Sequence, residues 1–83
     1  MAERKIGTIT HYFSNISVGV IKLDDTLKVG DKVKIAGTTT NFEQTISEMQ
    51  INKQNVQEAG SGQEVGVKVS DKVRTGDDVF VVE

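Results

Sequence analysis

The sequence predicts an all-β domain: six strands closed into a small barrel made of two similar units. Three observations predict it. A phrase occurs twice, as Leu27-Lys28-Val29-Gly30-Asp31-Lys32-Val33 and as Val73-Arg74-Thr75-Gly76-Asp77-Asp78-Val79. Val18-Gly19-Val20 precedes the first copy and Val65-Gly66-Val67 the second. The glycines of the phrases lie 46 residues apart and the triplets 47, which implies one residue lost in the second connection. A β protein of two units that closes on itself leaves no exposed edge. Second, short apolar runs with period two recur at roughly regular spacing, and no long segment has helical periodicity. Third, eight glycines, no proline and many Val, Ile and Thr suit strands joined by tight turns.

The first strand runs from about Lys5 to Phe13. Ile6 faces one way, Ile9 and Phe13 the other, and Gly7 between them marks a bend or bulge. Ser14-Asn15 is a turn. The second strand, Ser17 to Leu23, has Val18 and Val20 on one face and Ile21 and Leu23 on the other, as a strand covered on both sides at one end does. Asp24-Asp25-Thr26 starts the connection to Gly30-Asp31. There Gly accepts positive φ without steric cost, and Asp bonds nearby backbone. The third strand, Asp31 to Ala36, alternates polar Lys32 and Lys34 with apolar Val33 and Ile35. Gly37 to Asn41 is a polar connection. The fourth strand, Phe42 to Ile51, shifts phase: Phe42 and Ile46 share one face, Met49 and Ile51 the other. A bulge near Ser47-Glu48 reconciles them. Asn52 to Gln63 reads as a loop with an isolated bridge near Val56, because Ala59-Gly60-Ser61-Gly62 stops a helix. The fifth strand, Glu64 to Ser70, turns Val65, Val67 and Val69 inward. The last, Asp77 to Val82, is apolar from Val79 onward and therefore central.

At 83 residues the chain, 1–83, is expected to be one domain with a small core. No cysteine is present, so neither a disulfide nor a thiolate ligand enters. No apolar run is long enough to span a membrane. Met1-Ala2-Glu3-Arg4-Lys5 leads into the first strand without the apolar stretch of a signal peptide, so a cytoplasmic location is expected. Ten basic and twelve acidic side chains give a net charge of −2, unlike a protein that binds nucleic acid by neutralising phosphates.

His11-Tyr12-Phe13 is an aromatic cluster holding the sole histidine. Exposed rings there would stack on a base; alternatively Phe13 is core, and His11 and Tyr12 cover the barrel end. One histidine without cysteine makes a poor metal site. Lys22, Lys32 and Lys34, joined by Lys28 and Arg74, form either a modest phosphate-facing patch or a solvated strand face that discourages edge pairing. Asp24-Asp25 and Asp77-Asp78 offer too few converging oxygens for a hard cation. Gly30, Asp31, Gly76 and Asp77 are assigned to turn structure. Nothing marks a nucleophile elbow, so no catalysis and no cofactor are expected.

The order of these phrases, with Ala59-Gly60-Ser61-Gly62-Gln63-Glu64-Val65-Gly66-Val67 between them, resembles the second domain of translational GTPases such as elongation factor Tu. The similarity covers about Ile6 to Val82. The opening Gly7-Thr8-Ile9-Thr10-His11-Tyr12-Phe13 is closer to stand-alone elongation-factor-like small proteins and to the C-terminal barrels of collagenase-like peptidases. The resemblance implies a closed six-stranded Greek-key barrel of the translation-protein type. It does not imply GTP chemistry, because Gly60-Ser61-Gly62 lacks the Lys and hydroxyl of a phosphate loop. It leaves three functional expectations. One is a non-catalytic module contacting RNA, tRNA or the ribosome; another is an accessory barrel that docks on a collagenase-like peptidase or another enzyme; the third is a purely structural protein-interaction barrel.

Overall fold

The computed structural model describes residues 3–82; the leader reading of Met1 and Ala2 lies outside them. The strands are β1 (Glu3–Phe13), β2 (Val18–Leu23), β3 (Leu27–Lys28), β4 (Lys32–Ala36), β5 (Asn41–Thr45), β6 (Met49–Ile51), β7 (Gln54–Val56), β8 (Glu58–Ala59), β9 (Glu64–Lys68) and β10 (Asp78–Val82). There is no helix among the described residues, and so none long and apolar enough to cross a membrane. The main sheet has eight strands in the order β5-β4-β10-β1-β2-β9-β6-β7, and β3 pairs with β8 apart from it.

Two expectations change. The stretch read as a loop carries paired strand: β7 forms a hairpin with β6, and Leu27 pairs with Ala59 across β3 and β8. The hydrogen-bonded ladder also does not run round as a closed barrel. It ends at β5 and β7, because the expected fourth strand is interrupted at residues 46–48. Side-chain packing forces the interruption. Ile46 and Met49 lie three positions apart, so an unbroken strand would turn them to opposite faces, yet both are buried in the core. The break at Ser47-Glu48 lets both point inward.

The core is aliphatic: Ile6, Ile9, Ile21, Leu23, Leu27, Val33, Ile35, Val65, Val67, Val79 and their neighbours are buried. Each such side chain contributes about 1.5–3 kcal/mol on burial. In β2 the inward residues are Gly19, Ile21 and Leu23; in β9 and just beyond they are Val65, Val67 and Val69. These sets are offset by 46 residues, the same as the turn glycines. Aligning the two Val-Gly-Val triplets is therefore a slip of one residue, which in a strand exchanges the faces. No residue has been lost between the repeats.

The backbone obeys the same offset. Leu23 N donates to Gln63 O and Val69 N to Ser17 O, each 2.8–2.9 Å, and each bond maps onto the other. In the β2–β9 ladder Val18↔Lys68 maps onto Lys22↔Glu64, with Val20↔Gly66 at the centre. The two turns match as well. Gly30 and Gly76 have φ of 98° and 96°. Lys28 N donates to Asp31 Oδ2 at 3.0 Å, and Arg74 N to Asp77 Oδ2 at 2.8 Å. Each turn then clasps a strand of the other half. Gly30 N donates to Ile46 O and Ile46 N to Asp31 O; Gly76 N donates to Ile9 O and Ile9 N to Asp77 O, all at 2.8 Å. Ile9 and Ile46 are thus equivalent positions.

Candidate functional site

β1 is the longest strand, and its two halves have different neighbours. Residues Glu3 to Thr8 pair with β10, whereas His11, Tyr12 and Phe13 pair with Val20, Gly19 and Val18 of β2. The register shifts between Ile9 and His11, and this bulge sets which ring faces water. Tyr12 packs against the core. Phe13 is 48% exposed, so the expectation of a core Phe13 is overturned. His11 lies beside it on the outer face, the two rings stacked with centroids 6.1 Å apart. Ile16, in the turn between β1 and β2, is 57% exposed. Val18 leans toward Gly66, where an added Cβ would come within 3.3 Å of Val18 Cγ1. Ile16, Val18, Gly66, Gln50, Glu48 and Lys68 line a shallow depression there.

The pairing of the two halves supplies an internal control. Val18 occupies the place that Glu64 occupies in the second half, since Val18↔Lys68 and Lys22↔Glu64 are equivalent pairs. His11 and Gln50 each pair with the central residues Val20 and Gly66. Beyond them the halves part: Phe13 continues β1, whereas Asn52 turns at φ 52°. At Val18 the backbone is therefore compatible with a polar side chain.

The lysines are not gathered about this patch. Lys32 and Lys34 lie on β4, with β10 between β4 and β1. Lys32 Nζ is 3.3 Å from Glu43 Oε1, and Lys34 Nζ is 3.4 Å from Glu3 Oε2. Lys22 is on β2 opposite Glu64. Interleaved carboxylates leave no uniform cationic face, which gives the nucleic-acid reading no physical support. Lys28 and Arg74 occupy equivalent turn positions far apart in the chain, and Asp31 and Asp77 receive their backbone N–H groups. Among the described residues no group of three or more His, Asp and Glu side chains could hold a metal ion.

Sequence reasoning missed Ile16 and Val18. The signal was present: Ile16 is a large apolar residue inside a turn, where polar residues normally sit. Val18 was hidden by the misaligned triplet.

The chain is 39% identical over 80 residues to an uncharacterized protease of Methanocaldococcus jannaschii, covering 95% of this chain and 20% of that protein. It is 31% identical over 77 residues to a collagenase of Porphyromonas gingivalis, covering 90% of this chain and 21% of that protein. The chain spans about a fifth of the length of these curated relatives. No protein-family model matches it. Among solved structures, the C-terminal domain of a Geobacillus thermoleovorans protein assigned to the U32 peptidases superposes with a TM-score of 0.90 at 18% identity, over 96% of this chain and 93% of that one. The fold is that of this peptidase C-terminal domain. The selenomethionine form of that domain gives a TM-score of 0.88 at 19% identity, over 92% of this chain and 96% of that one. The resemblance to translation factors finds no counterpart in these similarities, and neither does an RNA or ribosome partner.

Proposed function

We propose that this chain is a non-catalytic module that docks on a peptidase of the kind its relatives are named for. The observation that carries the reading is the exposure of Phe13 and Ile16, with half-buried Val18 beside Ile16 at the position that the other half fills with Glu64. Contiguous apolar exposure of this kind marks interaction sites. The likeness to protease and collagenase segments supports a peptidase as the partner. The fold suits the role. We read β5 and β6 as one bent strand, pairing with β4 through its first half and with β9 through its second. That reading makes the module a six-stranded Greek-key barrel, rigid enough to present the β1–β2 hairpin.

The test is an exchange. The matching segment of the Porphyromonas gingivalis collagenase is replaced by this chain, and gelatin cleavage is followed. The chimera should retain activity that a truncated enzyme lacks, and Phe13→Ser with Ile16→Ser should abolish the gain. Equal activity in chimera, double variant and truncated enzyme would defeat the docking reading.

A further inference from the structure

The two halves differ most along one seam. In the first half, Gly7 and Thr8 of β1 pair with β10 on one side and with Leu23 and Lys22 of β2 on the other. That close approach needs glycine, because a Cβ at Gly7 would lie 2.6 Å from Lys22 O. In the second half the position of Gly7 is taken by Gln44, two residues before Ile46 as Gly7 is two before Ile9. Gln44 pairs with Val33 of β4, but among the described residues no backbone ladder joins β5 to the segment after β9. The position of Leu23 is taken by Val69. Gln44 Nε2 donates to Lys68 O at 2.7 Å, and Ser70 N donates to Gln44 Oε1 at 2.8 Å. The side-chain amide thus bonds the backbone groups on either side of Val69, replacing the ladder that Gly7 permits. It holds the seam open by one side chain.

Beyond Gln44 the opening becomes a groove of about 410 Å³, lined by Thr39, Thr40, Asn41, Phe42, Asp71, Lys72 and Arg74. The equivalent place in the first half is a depression of about 740 Å³ with the Arg4–Asp25 ion pair, at 3.3 Å, on its wall. By register Arg4 corresponds to Phe42, since Arg4↔Val81 matches Phe42↔Ile35, and Asp25 corresponds to Asp71. Asp25 Oδ1 accepts from Thr26 N and Asp71 Oδ1 from Lys72 N, both at 2.7 Å. The ion pair on the wall in one half is absent from the other. The free edge of β5 and a ring take its place, with two cations nearby.

We propose that this seam binds a short extended peptide carrying a carboxylate. An open strand edge offers unpaired N–H and C=O groups, which an added strand satisfies by main-chain hydrogen bonds, while flanking side chains set specificity. Phe42 supplies an apolar contact. Lys72 and Arg74, against the single Asp71, leave the groove net positive. The occupant is therefore an acidic extended segment. This proposal does not depend on the docking reading, which uses a different surface.

The experiment is an amide chemical-shift titration of the isolated chain with a blocked pentapeptide alternating valine and glutamate, and with its valine–lysine counterpart. The acidic peptide should shift Asn41 to Glu43 and Lys72 to Arg74 and bind about tenfold or more tightly than the basic one. Lys72→Glu with Arg74→Glu, both exposed and so without effect on folding, should reverse the preference. No shifts at millimolar peptide, shifts confined to Phe13–Val18, or equal binding of both peptides would each overturn the proposal. No enzyme is present, so failure here leaves the docking reading intact, and failure of the chimera leaves this one intact.

Discussion

Replacing Asp77 by Ala should cost more than replacing Asp31 by Ala, although both residues do the same job. Each carboxylate accepts the N–H of the residue three before it, at 2.8 Å for Asp77 and 3.0 Å for Asp31. The environments differ. Asp77 is 5% exposed, and a Cβ on Gly37 would run into its carboxylate. Asp31 is partly open to solvent. Loss of a shielded bond to a charged group leaves an N–H that water reaches poorly, at about 1.5–3 kcal/mol; the wetter bond is worth about 0.5–1.5 kcal/mol. In a domain of this size 1 kcal/mol moves Tm by about 4–8 °C. Asp77→Ala should therefore lower Tm by roughly 6–24 °C, and Asp31→Ala by roughly 2–12 °C. Urea melts with an unchanged slope would give the same order as a free energy. Asp77→Asn, which keeps an acceptor, should recover part of the loss. A larger loss at Asp31 than at Asp77 would refute the argument that burial sets the difference.

Other outcomes follow from the same geometry. Gly30→Val and Gly76→Val place a β-branched residue at φ near +97° and should each cost about 1 kcal/mol or more, read as a lowered urea midpoint. Phe13→Ser and Ile16→Ser, at exposed positions, should change stability by less than about 0.5 kcal/mol. Tyr12→Ala, on the core side of the same strand, should cost several times that by thermal melting.

The strands of this fold were legible where one face is wet. β4 and β9 alternate cleanly, β10 stands out as a continuous apolar run, and the bounds of all three lie within a residue or two of the expected ones. The turns were legible because glycine at positive φ followed by aspartate is local chemistry, spelled out in adjacent letters. What was not legible depends on contacts distant in sequence. The interruption at 46–48 exists because Ile46 and Met49 both point into a core built from strands distant in sequence. Tyr12 and Phe13 exchange their expected roles because of a bulge that no single residue announces. The β3–β8 pair joins residues separated by some thirty positions, with weak strand character on either side. At the candidate sites, residue types alone pointed to the lysines. Placement on strands beside Glu3, Glu43 and Glu64 removed that meaning.

A repeat of this kind makes its departures readable. The constraints of the fold act on both halves alike, because the same bonds recur at the β2–β9 axis, at the two turns and at Ile9 and Ile46. A residue that differs between equivalent positions is therefore free of those constraints in at least one half. Two differences bear on binding. The first half exposes Phe13 and Ile16 to water, and the second half gives up a backbone ladder at Gln44 that the first half keeps at Gly7. The first leaves apolar area in water. The second replaces a strand ladder with two hydrogen bonds from the Gln44 side chain and leaves the β5 edge open. A partner that covers the patch would recover the first loss, and a peptide on the β5 edge would pair the strand that the second leaves open.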